Sequence, residues 1–232
     1  MFYSASIDGV HMWDTYRMPL RRLDCVPPPK IKTNTIEIPG RDGVLDLTDY
    51  FGRVFYENRP IQMEFGRIYD RMLWPQIYSE ILNRFHGKRC KVIFDDDPAY
   101  FWVGRVSIDD YERTLRLGQL KVNVDAEPYK YDLVSSNEDW LWDSFDFNNG
   151  VIREYKNLLV DGTLTVVVEG SQMPAVPEIL SSTPMTVRFN NKTYDIKAGT
   201  NRIYDIEITE GEHSLIFTGK GLVSINYRGG SL

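Results

Sequence analysis

The feature that most constrains the fold is a short segment between Ile36 and Thr48. Two runs of alternating apolar and polar residues flank the turn Pro39-Gly40-Arg41-Asp42-Gly43. Proline presets φ in such a turn, and glycine supplies the positive φ that other residues avoid. The pattern therefore predicts a projecting β-hairpin with little of its own sequence to bury it. Because an exposed β arm invites pairing with another strand, this hairpin predicts assembly with a partner.

The composition is that of a folded protein. The chain has 232 residues, of which 42% are hydrophobic, so it can build a core. This length predicts one large domain or two modest ones. No apolar run approaches the roughly 18 residues of a membrane span. The isoelectric point near 5.2 argues against a general nucleic-acid binder, which needs clustered positive charge.

Charge divides the chain unevenly. Residues 1–131 carry no net charge, so the whole net charge of −6 lies in residues 132–232. Near this division, Pro128 restricts the residue before it, and polar Ser135-Ser136-Asn137 follows. We therefore predict two domains, 1–131 and 132–232.

The first domain combines one helix with strands. Pro75 suits a first helical position, Ile77, Ile81, Leu82 and Phe85 recur at helical spacing, and Gly87 suits a left-handed stop. Elsewhere the apolar period is two, as in Leu120, Val122 and Val124. The runs 91–94 and 100–103 flank Asp95-Asp96-Asp97-Pro98, which predicts a hairpin packed against the helix. An α+β domain is expected.

The second domain shows almost no helical period. Short apolar runs at 164–168, 185–189, 204–208, 215–217 and 223–227 alternate with turn residues at 190–191, 198–201, 210–212 and 219–221. This regular alternation predicts an all-β sandwich, so the chain as a whole is expected to be mainly β.

Nothing in the sequence predicts a catalytic, cofactor or metal site. His11, His86 and His213 are isolated, without a second ligand at zinc spacing. Asp95-Asp96-Asp97 fits a solvated hairpin turn better than a cation site. There is no phosphate-binding glycine loop and no nucleophile elbow. Cys25 and Cys90 fit two reduced thiols better than one disulfide bridge. We expect a protein that is not an enzyme.

An aromatic cluster opens the second domain. Trp140, Trp142, Phe145 and Phe147 are mixed with acidic residues. Buried, they would form sandwich core and a strand that joins the domains, which is the interpretation we favour. Exposed, Trp140 and Trp142 would stack on sugar rings. The alternative function is therefore a carbohydrate-binding adhesion module that recognises host cell-wall glycans.

Several longer strings resemble one family. IEIPGRDGVLDLTDYFGRVFYENRPIQMEF, FDDDPAYFWVGRV and KVNVDAEPYKY are similar to the distal tail proteins of siphoviruses, which are long-tailed phages. EITEGEHSLIFTGKGLVSINYRGG resembles the galectin-like second domain of that family. The resemblance extends from Gly9 to Gly230, and the segment around Pro39–Gly43 is its most specific part.

The resemblance implies an assembly. It implies a split-barrel first domain with one main helix and a projecting arm, followed by a galectin-like β-sandwich. Six copies would form a ring at the distal end of the virion tail, after synthesis and assembly in the cytoplasm of the bacterial host. The ring would join the major tail tube protein to the tail-associated lysin or hub, and would serve as a platform for host adhesion. The tape measure protein and a receptor-binding protein are further implied partners, and DNA would pass through the lumen without specific binding.

The resemblance also implies which residues make the contact between copies. The arm near residues 36–62 would belt the neighbouring subunit. Its implied contact residues are Ile38, Pro39, Gly40, Arg41, Asp42, Gly43, Leu45, Asp46, Leu47, Tyr56, Asn58 and Arg59.

Overall fold

A computed structural model describes residues 3–21, 26–68, 74–113, 117–136 and 155–232. Contacts divide the chain into two compact units. The first unit is Met1–Asp97 with Phe101–Pro128, and the second is Pro98–Tyr100 with Tyr129–Leu232. Strands dominate both units, so the predicted mainly-β fold is confirmed.

The first unit contains a long antiparallel sheet. Its elements are β1 (Ala5–Ile7), β2 (Val10–His11), α1 (Met12–Tyr16), β3 (Thr35–Glu37), β4 (Val44–Asp46), β5 (Arg59–Ile68), α2 (Trp74–Phe85), β6 (Arg89–Phe94), β7 (Tyr100–Arg113) and β8 (Leu117–Ala126). The sheet order is β5-β8-β7-β6-β1-β2, while β3 and β4 pair only with each other among the described residues. The two described helices are both too short to cross a membrane.

Local pattern explains the core of the first unit. Leu120, Val122 and Val124 are buried on one face of β8, opposite buried residues of β5. The predicted helix is confirmed as α2, which buries Ile81 and Phe85 in the same core and is followed by Gly87 at φ +75°. The predicted hairpin of residues 91–94 and 100–103 is confirmed as β6 and β7. Sheet and helix therefore enclose one hydrophobic core.

The short helix α1 was not predicted from the sequence. Its five residues are too few for a periodic pattern. His11 caps it, because Nδ1 accepts a hydrogen bond from the backbone N–H of Asp14 at 3.3 Å. Met12 and Tyr16 are its buried residues, so it contributes to the same core.

The second unit consists of strands. They are β9 (Lys130–Asp132), β10 (Leu158–Gly170), β11 (Glu178–Ser181), β12 (Met185–Phe189), β13 (Lys192–Ile196), β14 (Gly199–Arg202), β15 (Gly211–Asn226) and β16 (Gly230–Ser231). Five of these strands form a sheet in the order β13-β12-β15-β11-β14. The whole length of β10 also pairs with β15. β16 pairs with β9. Because β15 pairs with three other strands, it is the centre of this unit.

Three local predictions in the second unit were wrong. Residues 204–208 form a loop with a single bridge from Ile208 to Ala175, not a strand. The alternation there arises because Ile206 and Ile208 anchor that loop in the core. Residues 199–202 form β14, although their sequence predicts a connector. Residues 219–221 lie inside β15, although their sequence predicts a turn.

The glycines of β15 serve close packing. A Cβ atom at Gly219 would lie 2.5 Å from the Cβ atom of Met185, and one at Gly221 would lie 2.4 Å from Oγ1 of Thr183. These distances are too short for real atoms, so the connection between β11 and β12 passes directly over β15 at a point where only glycine fits.

The same reasoning predicts a stability effect at Gly170. A Cβ atom there would lie 1.7 Å from the backbone oxygen of Thr209, which cannot swing away. We expect Gly170→Ala to destabilise the second unit by about 1–3 kcal/mol, the usual cost of overpacking. Thermal unfolding would show this as a lower transition temperature. Thr165→Ala, on an exposed position of the same strand, is the control and should change little. Equal transition temperatures for the two variants would contradict the prediction.

Candidate assembly surface

A long two-stranded ribbon extends from the first unit. We use "the ribbon" for residues 30–57. At its base, the N–H of Lys32 donates to the carbonyl of Phe55, and the N–H of Glu57 donates to the carbonyl of Lys30, both at 2.8 Å. Farther out, β3 pairs antiparallel with β4. The predicted hairpin is therefore present, with its stem beginning at Lys30.

The turn at the end of the ribbon has the predicted conformation. Gly40 has φ +80° and Gly43 has φ +74°, both in the left-handed region. The N–H of Arg41 donates to the carbonyl of Ile38 at 3.1 Å. A Cβ atom added at either glycine would meet no heavy atom within 4 Å outside the adjacent residues. Backbone conformation alone therefore favours glycine here.

One face of the ribbon is apolar. Ile36 lies opposite Leu45, and the same alternation puts Ile38 and Leu47 on that side. We call these four residues the apolar face. Ile36 and Ile38 are 48% and 39% exposed, and Leu45 and Leu47 are half-buried. The ribbon thus presents four aliphatic side chains that its own subunit covers only in part.

Both edges of the ribbon are open. In an antiparallel pair, alternate residues turn their N–H and C=O groups away from the partner strand. The N–H of Leu47 donates to Asn34, so residues 35 and 37 of β3 and residues 44 and 46 of β4 point outward. Among the described residues, neither strand pairs with a third. Such an edge is a template for another chain.

An aromatic bulge interrupts the second strand of the ribbon. Ile31 bridges Tyr56 and Asn34 contacts Leu47, so the second strand has more residues between these points than the first. The extra residues carry Tyr50 and Phe51, which we call the aromatic bulge. Each is 73% exposed, and their rings meet edge to face at 5.3 Å. Sequence reasoning did not single out this pair, although two adjacent aromatic residues within the predicted arm were the available signal.

Within the described first unit, exposed apolar side chains are concentrated on the ribbon. In the described part of the first unit, every large hydrophobic residue that is strongly exposed belongs to it: Ile31, Ile36, Ile38, Val44, Tyr50 and Phe51. A concentration of this kind marks an interaction surface better than scattered single residues do.

The last predicted contact residues support the ribbon from within the subunit. Tyr56 is half-buried opposite Ile31. Asn58 Nδ2 donates to Asp125 Oδ2 at 3.2 Å. Arg59 is only 4% exposed, so it offers little surface to another molecule. The structure therefore brings together the predicted residues from Ile38 to Leu47 on the ribbon, and separates Asn58 and Arg59 from them.

Arg59 fixes the root of the ribbon. Its guanidinium lies 4.5 Å from the ring centre of Trp102, and Nη2 donates to the carbonyl of Pro128 at 2.5 Å. It lies opposite Ala126, on the core face of the sheet. Burial lowers the pKa of Arg59. This side chain holds the start of β5 in place.

Thr48 ties the two strands together beside β4. Its Oγ1 accepts from the N–H of Asn34 at 3.2 Å, and its own N–H donates to Asp46 Oδ1 at 2.9 Å. Hydrogen bonds from the hydroxyl and then the backbone N–H of Thr48 lower the pKa of Asp46. Because the pKa of Asp46 is lower in the folded protein than in the unfolded chain, these hydrogen bonds stabilise the fold at pH values above the unfolded pKa. That stabilisation is lost as the pH falls through the folded pKa.

Removing the hydroxyl of Thr48 should be visible in the titration of Asp46. In Thr48→Val the backbone bond stays and the hydroxyl bond is lost, so the pKa of Asp46 should rise toward its ordinary value. NMR titration of the Asp46 carboxyl group measures this. Thr165→Val, an exposed position on β10 in the second unit, is the control and should leave the Asp46 titration unchanged. An unchanged Asp46 titration in Thr48→Val would show that the hydroxyl is not the cause.

Each of the three histidines considered in the sequence analysis has a partner within the protein. His86 Nδ1 accepts from the N–H of Ile108 at 3.1 Å, His213 bonds the carbonyl of Thr209 at 2.9 Å, and His11 contacts Asp95 at 3.1 Å. Cys90 is a buried free thiol whose pKa is raised, chiefly by burial. Within the described ranges, no three potential ligands cluster as a metal site would require. Cys25 and the aromatic cluster with Trp140 and Trp142 lie outside the described residues.

Comparison with known proteins gives a match in structure. No protein-family model matches the chain, and no curated protein matches its sequence. Its structure is similar to that of SPP1 Dit (gp 19.1), described as a paradigm of the hub adsorption apparatus in phages that infect Gram-positive bacteria. The TM-score is 0.63 at 12% sequence identity, and the match covers 100% of both chains. The chain therefore has, over its whole length, the fold of the siphophage distal tail protein SPP1 Dit.

Proposed function

We propose that this protein is a structural component of a siphophage tail tip, where copies of it form a ring. The observation that carries the proposal is the ribbon, whose apolar face is partly exposed and whose two strand edges are unpaired among the described residues of a single subunit. The Dit fold supports a position at the distal end of the tail. The role is architectural and not catalytic.

The shape of the contact favours a ring. A ribbon that projects from one copy and lies on a different surface of the next makes a heterologous contact, and such contacts close into rings when the rotation permits. We propose six copies, with the domain 1–131 forming the ring. The domain 132–232 is a galectin-like platform for host-adhesion parts.

The proposed neighbours follow from that position. The ring joins the major tail tube protein to the tail-associated lysin or hub, beside the tape measure and receptor-binding proteins. DNA passes through the lumen without specific binding. The absence of net charge on residues 1–131 supports this, because a wall without excess positive charge does not retain DNA.

Size measurement of the purified protein tests the proposal. Sedimentation velocity over a range of concentrations, followed by negative-stain imaging, should show rings of six. A matched variant replaces residues 34–47 with Gly-Gly and keeps the stem at Lys30–Lys32 and Phe55–Glu57; it should remain monomeric. Wild-type protein that stays monomeric at every concentration would contradict the proposal, as would rings formed equally well by the shortened variant.

A further inference from the structure

We propose that the aromatic bulge of one copy docks on the apolar face of the ribbon of the next copy. This inference rests on the proposed ring and adds the pair of surfaces that forms each junction. The bulge is Tyr50 with Phe51, and the apolar face is Ile36, Ile38, Leu45 and Leu47, as defined above.

The bulge is built as an anchor. Tyr50 and Phe51 are the two most exposed apolar side chains of the described first unit. Their position is fixed, because Phe51 packs edge to face on Phe55 at 6.5 Å between ring centres and the Arg53 guanidinium covers Phe55 at 4.7 Å. Large aromatic side chains that are held in place before binding lose little freedom on docking, and they dominate interface energies.

The apolar face is the complementary surface. Aromatic rings gain most when they are buried against other apolar groups. Outside the bulge, the strongly exposed large apolar residues of the described first unit are Ile31, Ile36, Ile38 and Val44. Ile36 and Ile38 lie together on the side that also carries Leu45 and Leu47. Tyr50 and Phe51 are each 73% exposed in their own subunit, so most of the bulge surface is available to a second copy.

The charge of the ribbon suits a second copy of the same chain. Residues 30–57 contain four basic side chains (Lys30, Lys32, Arg41 and Arg53) and five acidic ones (Glu37, Asp42, Asp46, Asp49 and Glu57). Nearly balanced charge of both signs permits two ribbons to approach and form ion pairs. A strongly charged partner would be matched by an excess of the opposite sign, which the ribbon lacks.

The bulge and the face are different patches, so the junction is heterologous. Each copy offers one bulge and one face, and every junction consumes one of each. A copy without a bulge can still bind the bulge of a neighbour on its own face. A copy without a face can still dock its bulge on a neighbour. This property allows a complementation experiment.

The experiment uses two variants that each lose one patch. Tyr50→Ala with Phe51→Ala removes the bulge, and Ile36→Ser with Ile38→Ser removes the face. Each variant alone should be monomeric, because truncating anchor residues weakens a junction by about 30-fold or more. An equimolar mixture should form dimers and nothing larger in sedimentation velocity. Tyr204→Ala, which removes a side chain 76% exposed in the second unit, is the control and should assemble as the wild type does.

The outcomes separate the inference from the proposed function. If wild-type protein itself never assembles, the proposed ring is wrong. If wild-type protein forms rings and either variant does so equally well, the ring stands and the bulge-to-face junction is wrong. If both variants keep wild-type circular dichroism and melting yet their mixture stays monomeric, the pairing of these two surfaces is also wrong. Dimers in the mixture, with monomers in each separate sample, support it.

Discussion

Valine at both Gly40 and Gly43 is expected to leave the protein monomeric while the second unit stays folded. Both glycines have positive φ, which a β-branched residue adopts only under strain. A residue held in such a region costs about 1–3 kcal/mol, and here the turn would have to bear that cost twice. The hairpin would open, and the ribbon would lose its apolar face and its ordered edges together.

Asparagine at the same two positions is the matched control. Asparagine tolerates the left-handed region far better than valine does. Gly40→Asn with Gly43→Asn should therefore keep rings that the valine variant loses, as seen by sedimentation velocity. Normal rings from the valine variant would show that the turn conformation is irrelevant to assembly. Loss of the second unit's circular dichroism signal in that variant would show that its effect is not local.

Two single substitutions, each of which replaces a buried phenylalanine of one unit by alanine, should give the largest losses of stability. Phe65 and Phe217 are fully buried, one in each hydrophobic core. Phe65 lies opposite Leu120, and Phe217 lies opposite Leu164 and Val187. Replacement by alanine removes packing and leaves a cavity, at a cost of about 3–5 kcal/mol. This is a large share of the stability of an ordinary domain.

We expect each of these substitutions to act on its own unit. Hydrogen exchange in mild denaturant, followed by mass spectrometry, should show early exchange of the first unit in Phe65→Ala and of the second unit in Phe217→Ala. Tyr204→Ala is the control, since an aromatic side chain of similar size is truncated at an exposed position away from the ribbon. Early exchange of both units in either core variant would contradict the division of the chain into two separately packed cores.

The sequence correctly predicted those elements whose conformation is determined by residues close to them in the chain. The helix α2 has its own apolar period and its own glycine stop, so residues 74–87 contain what defines it. The turn at Pro39–Gly43 likewise needs only backbone preferences, and both glycines have the predicted positive φ. In these segments, the residue types and the required dihedral angles agree without help from the rest of the chain.

Elements defined by distant contacts were not predictable in the same way. Gly219 and Gly221 look like turn residues in sequence, but their role depends on Met185 and Thr183, which pass close to the strand. Residues 204–208 alternate like a strand, but tertiary packing holds Ile206 and Ile208 in a loop. Glycine content and alternation alone do not distinguish these cases.

The candidate site shows the same limit. Arg59 lies within the predicted arm of residues 36–62, and only the strand register opposite Ala126 reveals that it points toward the core. Tyr50 and Phe51 carry no periodic pattern that marks them as exposed. Their position is evident only from the pairing on either side of the bulge, which fixes the neighbouring residues in the ribbon.

The central claim is that a second copy completes the ribbon, and hydrogen exchange of the ribbon amides tests it most directly. The outward N–H groups of residues 35, 37, 44 and 46 have no strand partner among the described residues of one subunit. Exchange measured in assembled protein, and in protein diluted to monomers, should be much slower for these residues in the assembly. Equal exchange rates in the two states, with the rings intact, would contradict the claim.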